Sequence, residues 1–131
     1  MLALQRTTHA VLHALGGELA DLHLTAAETN ALANLADRGA LSVSQLSSET
    51  GTKASTLTNV LDRLENRGYL VREPDAADRR SFRLVLTESG ATVAARAREA
   101  ITDLEDRALG SLSPTQIAGF HAVITALREV S

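Results

Sequence analysis

Residues Ser42–Leu86 read SVSQLSSETGTKASTLTNVLDRLENRGYLVREPDAADRRSFRLVL, and this stretch decides the fold. Ser42-Val-Ser-Gln45 is a capping box: the serine hydroxyl can accept the Gln45 amide while the glutamine side chain reaches back to the amide of Ser42. It opens a short helix with Val43 and Leu46 facing inward, stopped at Gly51. Thr52 is expected to cap a longer helix from Lys53 to about Arg67, ended by Gly68. Leu57, Val60, Leu61 and Leu64 recur at the three-and-four spacing of one buried helical face. Tyr69–Glu73 and Phe82–Leu86 are strand-prone, and in the second Phe82, Leu84 and Leu86 alternate with Arg83 and Val85. The intervening Pro74–Ser81 is too polar to bury, which predicts a hairpin with a charged tip.

The flanks supply the support. Thr25-Ala-Ala-Glu28 is another capping box, and Ala31, Leu32 and Leu35 follow it as a buried stripe ended at Gly39. Ala40–Ser42 predicts a short extended piece. Met1–Leu24 predicts a helix with Leu4, Val11, Leu12, Leu15, Leu19 and Leu22 in one stripe. Gly16-Gly17 weakens it by about 1 kcal/mol per glycine, so a bend or break is expected there. After the hairpin, Thr87 caps a long helix over Glu88–Leu109, with Val93, Ala97, Ile101, Leu104 and Ala108 along one side. Gly110 breaks it. Ser113-Pro114-Thr-Gln116 is a third capping box with proline at the first helical position. The last helix runs to about Glu129 on a stripe of Ile117, Phe120, Ile124 and Leu127. The expected fold is mostly α with a small β-hairpin wing (α+β): a winged helix-turn-helix held between N- and C-terminal helices.

Length and composition fit one domain. The chain has 131 residues, 44% apolar and 22% charged, the balance of an ordinary globular protein. No apolar run reaches the ~20 residues that span a bilayer, and no signal-peptide pattern opens the chain, so we expect a cytoplasmic protein without membrane contact. With no cysteine, disulfides, thiolate catalysis and thiol redox sensing are excluded. Tyr69, Phe82 and Phe120 are the only aromatics, too few for a base-stacking platform. The net charge of −3 is unevenly spread. Lys53–Arg83 holds seven basic and five acidic residues, and the remainder holds six basic and eleven acidic. Positive charge is therefore local to the predicted hairpin and the helix before it.

That helix carries an unusual outer face. Opposite Leu57 stand Ser55, Thr58, Asn59, Asp62 and Asn66, flanked by Thr56 and Arg63. Short groups that both donate and accept suit base edges and phosphates, and a helix is narrow enough for the major groove. Its N-terminus offers free amides to a phosphate. Lys53 and Arg63 would add phosphate contacts that set register. Arg79 and Arg80 at the hairpin tip can reach a minor groove, where negative potential draws arginine. Asp78 beside them can brace a guanidinium. Arg72 and Arg83 on the strands divide between ion pairing and phosphate contact. Nothing marks an enzyme: there is no nucleophile elbow, phosphate loop or metal-ligand cluster. The alternative, a winged helix used for protein contact without DNA, requires exposed Leu, Met or aromatic anchors on that face, and it has none.

The run from Leu24-Thr25 through Gly51 to Arg80, then Leu86-Thr87-Glu88-Ser89-Gly90, resembles the MarR family of bacterial transcriptional regulators. Ser55–Leu64 followed by Gly68-Tyr-Leu-Val-Arg72 is similar to its recognition helix and first wing strand, and Asp78-Arg79-Arg80 to its wing signature. The resemblance implies a homodimer on a pseudo-palindromic operator, usually a repressor released by a small ligand. It implies that Arg80 is the wing arginine of the minor groove, with Asp78 as its neighbouring acid. Asp62 and Arg63 fall on the family's late Asp-Arg pair. One domain over residues 1–131 then divides into a winged-helix part, 25–90, and dimerisation helices, 1–24 and 91–131. Leu2, Leu4, Val11 and Leu12 at one end, with Leu112, Ile117, Phe120 and Ile124 at the other, would make the dimer interface. His9 and His13 stand one helical turn apart and would need an acid such as Glu18 to hold a metal; solvated histidine is the simpler expectation, and no metal or cofactor is assigned. The expected partners are double-stranded DNA, a second copy and a small-molecule effector.

Overall fold

A computed structural model describes residues 2–130. Helix α1 covers Leu2–Glu18, and a 3₁₀ turn at Ala20–Leu22 leads to α2, Ala26–Arg38. Strand β1 (Leu41–Ser42), α3 (Val43–Thr50) and α4 (Ala54–Asn66) follow, then β2 (Leu70–Pro74), β3 (Phe82–Leu86), α5 (Glu88–Leu109) and α6 (Pro114–Glu129). This is the expected mostly helical fold with a hairpin wing. Residues 1–101 form one compact unit and 102–131 a second.

Within the first unit the core is a cluster of Leu32, Leu35, Leu46, Leu57, Leu61, Leu64, Leu70 and Leu84 around Ala31, Val60 and Ala94. All four predicted apolar positions of α4 are buried, so its opposite face points outward. The three-stranded antiparallel sheet has the order β1-β3-β2. Leu84 pairs with Leu41 on one side and Arg72 on the other, and Pro74 pairs with Phe82 where the hairpin leaves the core.

The helix boundaries follow their side-chain caps. Capping boxes form at Thr25/Glu28, Ser42/Gln45 and Ser113/Gln116. The Thr87 hydroxyl accepts the Gly90 amide at 3.0 Å and donates to the Gly68 carbonyl at 2.5 Å. Gly68 takes the left-handed conformation (φ 75°), and paired bonds from Gly68 N to Glu65 O and Tyr69 N to Leu64 O, both 2.9 Å, end α4 in a Schellman motif.

Several expectations need correction. Thr52 does not cap α4: Lys53 occupies the N-cap position without a side-chain bond. The main chain of Thr52 is used instead to close the α3–α4 turn, its carbonyl accepting from Ser47 and its amide donating to Thr50. The Met1–Leu24 helix is shorter than expected, and Met1 lies outside the described residues. α1 runs through Gly16-Gly17 to Glu18, and the chain breaks at Leu19. Buried Leu15 and Leu19 bracket the glycines, and that burial outweighs their intrinsic cost. On α5 the buried residues are Gly90, Ala94, Ala97 and Ala100; Val93, Ile101 and Leu104 are half-buried and Ala108 is exposed. The helix packs by its small face because a Cβ at Gly90 would collide with the Tyr69 carbonyl. In the second unit, α6 buries no residue, and Phe120, Val123 and Leu127 are exposed.

Candidate nucleic-acid interface

The outer face of α4 is as polar as its sequence predicts. Ser55, Thr56, Thr58 and Asn59 are all exposed. Thr58 donates its hydroxyl to the Ala54 carbonyl at 3.0 Å, leaving its oxygen lone pairs outward as acceptors. Lys53 sits at the N-cap, exposed, where the amides of the first turn lack helical partners.

The wing tip is built by two aspartates. Asp75 Oδ1 accepts the Ala77 amide at 2.9 Å, and Asp78 Oδ1 accepts the Arg80 amide at 3.0 Å. A bond from Asp75 N to Ser81 O at 3.1 Å closes the loop. The expected Asp78 brace on a guanidinium is thus replaced by a brace on the main chain. It fixes where Arg80 leaves the loop and leaves both guanidinium groups in solvent.

The arginines divide sharply. Arg63 Nε lies 3.0 Å from Glu28 Oε1, and Arg67 Nη1 lies 3.8 Å from Glu28 Oε2. Glu28 is buried, 3% exposed. Its burial was not legible from the chain, since its arginine partners lie far along it. Arg72 bridges α4 and β2, reaching Asp62 at 2.8 Å and Glu65 at 2.9 Å; ion pairing is therefore its role here. Arg83 donates to the Ala40 carbonyl at 2.8 Å. Among the described residues Lys53, Arg79 and Arg80 make no ion pair and stand exposed. Free cations therefore lie at the start of α4 and at the wing tip. No group of three or more metal-binding side chains exists among the described residues, and no described helix is long and apolar enough to cross a membrane.

A short helix, a glycine turn, a helix with an apolar inner and polar outer face, and an arginine-tipped ribbon define a winged helix-turn-helix protein. The family model described as MarR family matches residues 21–81. The HTH-type transcriptional regulator PecS of Dickeya dadantii is 34% identical over 124 residues, covering 92% of this chain and 75% of that protein. The chain belongs to the MarR family of winged-helix transcription regulators. Among solved structures, CouR from Rhodococcus jostii RHA1 bound to p-coumaroyl-CoA has a TM-score of 0.87 at 21% identity, over 96% of this chain and 89% of that one. A mutant MarR from E. coli complexed with operator DNA has a TM-score of 0.77 at 24% identity, over 95% and 93%.

Proposed function

We propose that this protein is a sequence-specific repressor that binds a pseudo-palindromic operator as a homodimer and is released by a small-molecule effector. The observation that carries the proposal is the outward face of α4, short polar groups with the unpaired Lys53 at its start, together with unpaired arginines at the wing tip. Ser55, Thr56, Thr58 and Asn59 meet base edges and sugar-phosphate in the major groove. Lys53 and Arg79 take phosphates, and Arg80 enters the minor groove from a tip stiffened by Asp78. Arg63 reaches phosphate only by sharing or leaving Glu28.

The dimer rests on two apolar surfaces. Leu2, Leu4, Val11 and Leu12 of α1, and Phe120, Val123 and Leu127 of α6, are exposed in the single chain, which is costly unless a partner covers them. In this division residues 25–90 read DNA while 1–24 and 91–131 dimerise. Twofold symmetry then sets the recognition helices about one DNA turn, ~34 Å, apart. The effector role is supported by CouR, a protein of the same fold bound to p-coumaroyl-CoA.

Selection of bound sequences from random duplexes, followed by titration at two salt concentrations, tests the proposal. A palindromic site and an affinity that falls steeply with salt are expected. A chain that enriches no sequence, or remains monomeric at micromolar concentration, refutes it.

A further inference from the structure

Arg67 closes the C-terminal end of α4. Asn59 stands eight residues earlier, ~12 Å along the helix axis, so Arg67 is remote from the polar reading face. Its guanidinium is committed elsewhere. Nη1 donates to the His23 carbonyl and Nη2 to the Leu22 carbonyl, both at 2.9 Å. Nη2 also meets the Tyr69 hydroxyl at 3.3 Å, and the group lies over the Tyr69 ring, 4.9 Å from its centroid. Buried Glu28 holds it from the α2 side.

Leu22 and His23 end the 3₁₀ turn that joins α1 to α2, and His23 is there in the left-handed conformation (φ 51°). Carbonyls at a helical C-terminus carry partial negative charge and lack helical donors. One planar fork satisfies two of them, which a lysine ammonium on a flexible stem does not reproduce. The same joint is held from α5, where Arg96 Nη2 donates to the Glu18 carbonyl at 3.4 Å.

We propose that Arg67 is a positioning residue for operator recognition. It locks the recognition helix to the α1–α2 connector, so that α1 and α4 turn as one body. It thereby sets the spacing of the two recognition helices in the dimer. This inference rests on the function proposed above. It assigns to Arg67 a geometric role, with no contact to DNA.

The test compares the wild-type chain with Arg67→Lys and Arg67→Gln. Duplexes selected by the wild type are used with the native half-site spacing and with one base pair added or removed, each at two salt concentrations. Both variants should bind the native spacing roughly 10-fold more weakly, lose most of the spacing preference and keep the wild-type salt slope. Wild-type affinity in Arg67→Lys, or a salt slope lowered by about one, makes Arg67 a phosphate contact and overturns the inference. An unchanged spacing preference overturns it too. Amide exchange of the free protein supplies a DNA-independent measure: protection over Leu22–Thr25 should fall in both variants while Leu57–Leu64 stays protected. Unchanged protection at the connector overturns the inference, and so does loss of protection throughout, which marks Arg67 as a residue of global stability. A wild-type chain that selects no duplex overturns the proposed function together with the inference; the other adverse results overturn the inference alone.

Discussion

Removing the Glu28 carboxylate should cost stability and gain positive field at the same time. Glu28 is 3% exposed, and its carboxylate accepts the Thr25 amide at 3.1 Å besides its two arginines. In Glu28→Ala the Thr25 amide loses its capping-box partner, worth about 1 kcal/mol for a partly buried donor. Breaking a fully buried ion pair by removing one member costs about 3–5 kcal/mol. Here the Arg63 side chain is 55% exposed and can turn to water, while Arg67, 32% exposed, keeps its bonds to the Leu22 and His23 carbonyls, so about 1–2 kcal/mol is the better figure. The total is about 2–3 kcal/mol, or a melting temperature lower by roughly 6–12 °C. Glu28→Gln keeps an acceptor for Thr25 and should lose only about half as much. Either change frees Arg63 on α4, so operator binding should depend more steeply on salt, by up to about one unit of slope. Urea unfolding and binding titrations on the same preparations measure both. A stability loss below about 0.5 kcal/mol, within the range of ordinary surface substitutions, refutes the buried clamp. A shallower salt slope refutes the release of Arg63.

Other substitutions separate the parts of the interface. Arg80→Ala should weaken operator binding by about 1–3 kcal/mol with unchanged melting temperature; equal affinity in a gel-shift assay would remove Arg80 from the contact. Asn59→Ala should relax base preference more than total affinity, and a uniform loss across sequences in a selection experiment would make Asn59 a backbone contact. Gly90→Ala drives a methyl into the Tyr69 carbonyl and should cost about 1–3 kcal/mol as overpacking, seen in denaturant midpoints; a neutral result would mean that α5 can shift away from β2.

Local chemistry was the legible layer of this fold. Three capping boxes, the Leu57–Leu64 stripe and Gly68 are decided within four or five residues, and each forms as its sequence predicts. On α5, Ala97 is buried as its spacing predicts and Val93 packs on the core, while Ile101 and Leu104 are only half-buried and Ala108 is exposed. Close approach at Gly90 instead makes the small residues the contact. Thr52 has the residue type of a cap, but its main chain closes the α3–α4 turn and Lys53 takes the N-cap position. The approach of Gly90 to the Tyr69 carbonyl is a distance between segments, which periodicity does not encode.

The same limit governs charge, and there it decides function. Counting residues over Lys53–Arg83 gives seven bases for a nucleic acid to meet. Geometry withdraws four of them. Arg63 and Arg67 answer a carboxylate on α2, Arg72 answers two on α4, and Arg83 answers the Ala40 carbonyl. Arg63, Arg67 and Arg72 fasten α4 to its neighbours, Arg83 ties β3 to the segment before β1, and the three that remain stand at the start of α4 and at the wing tip. A recognition helix needs both groups. Free cations supply attraction that is indifferent to sequence, while fixed ones hold Asn59 and its neighbours in the single orientation from which base edges can be told apart. Exchanging the roles, by freeing Arg72 with Asp62→Asn and Glu65→Gln, should therefore raise affinity for random DNA while lowering the ratio of operator to random binding. Competition titrations with calf-thymus DNA measure that ratio, and a ratio that stays constant would show that the fastening arginines contribute nothing to specificity.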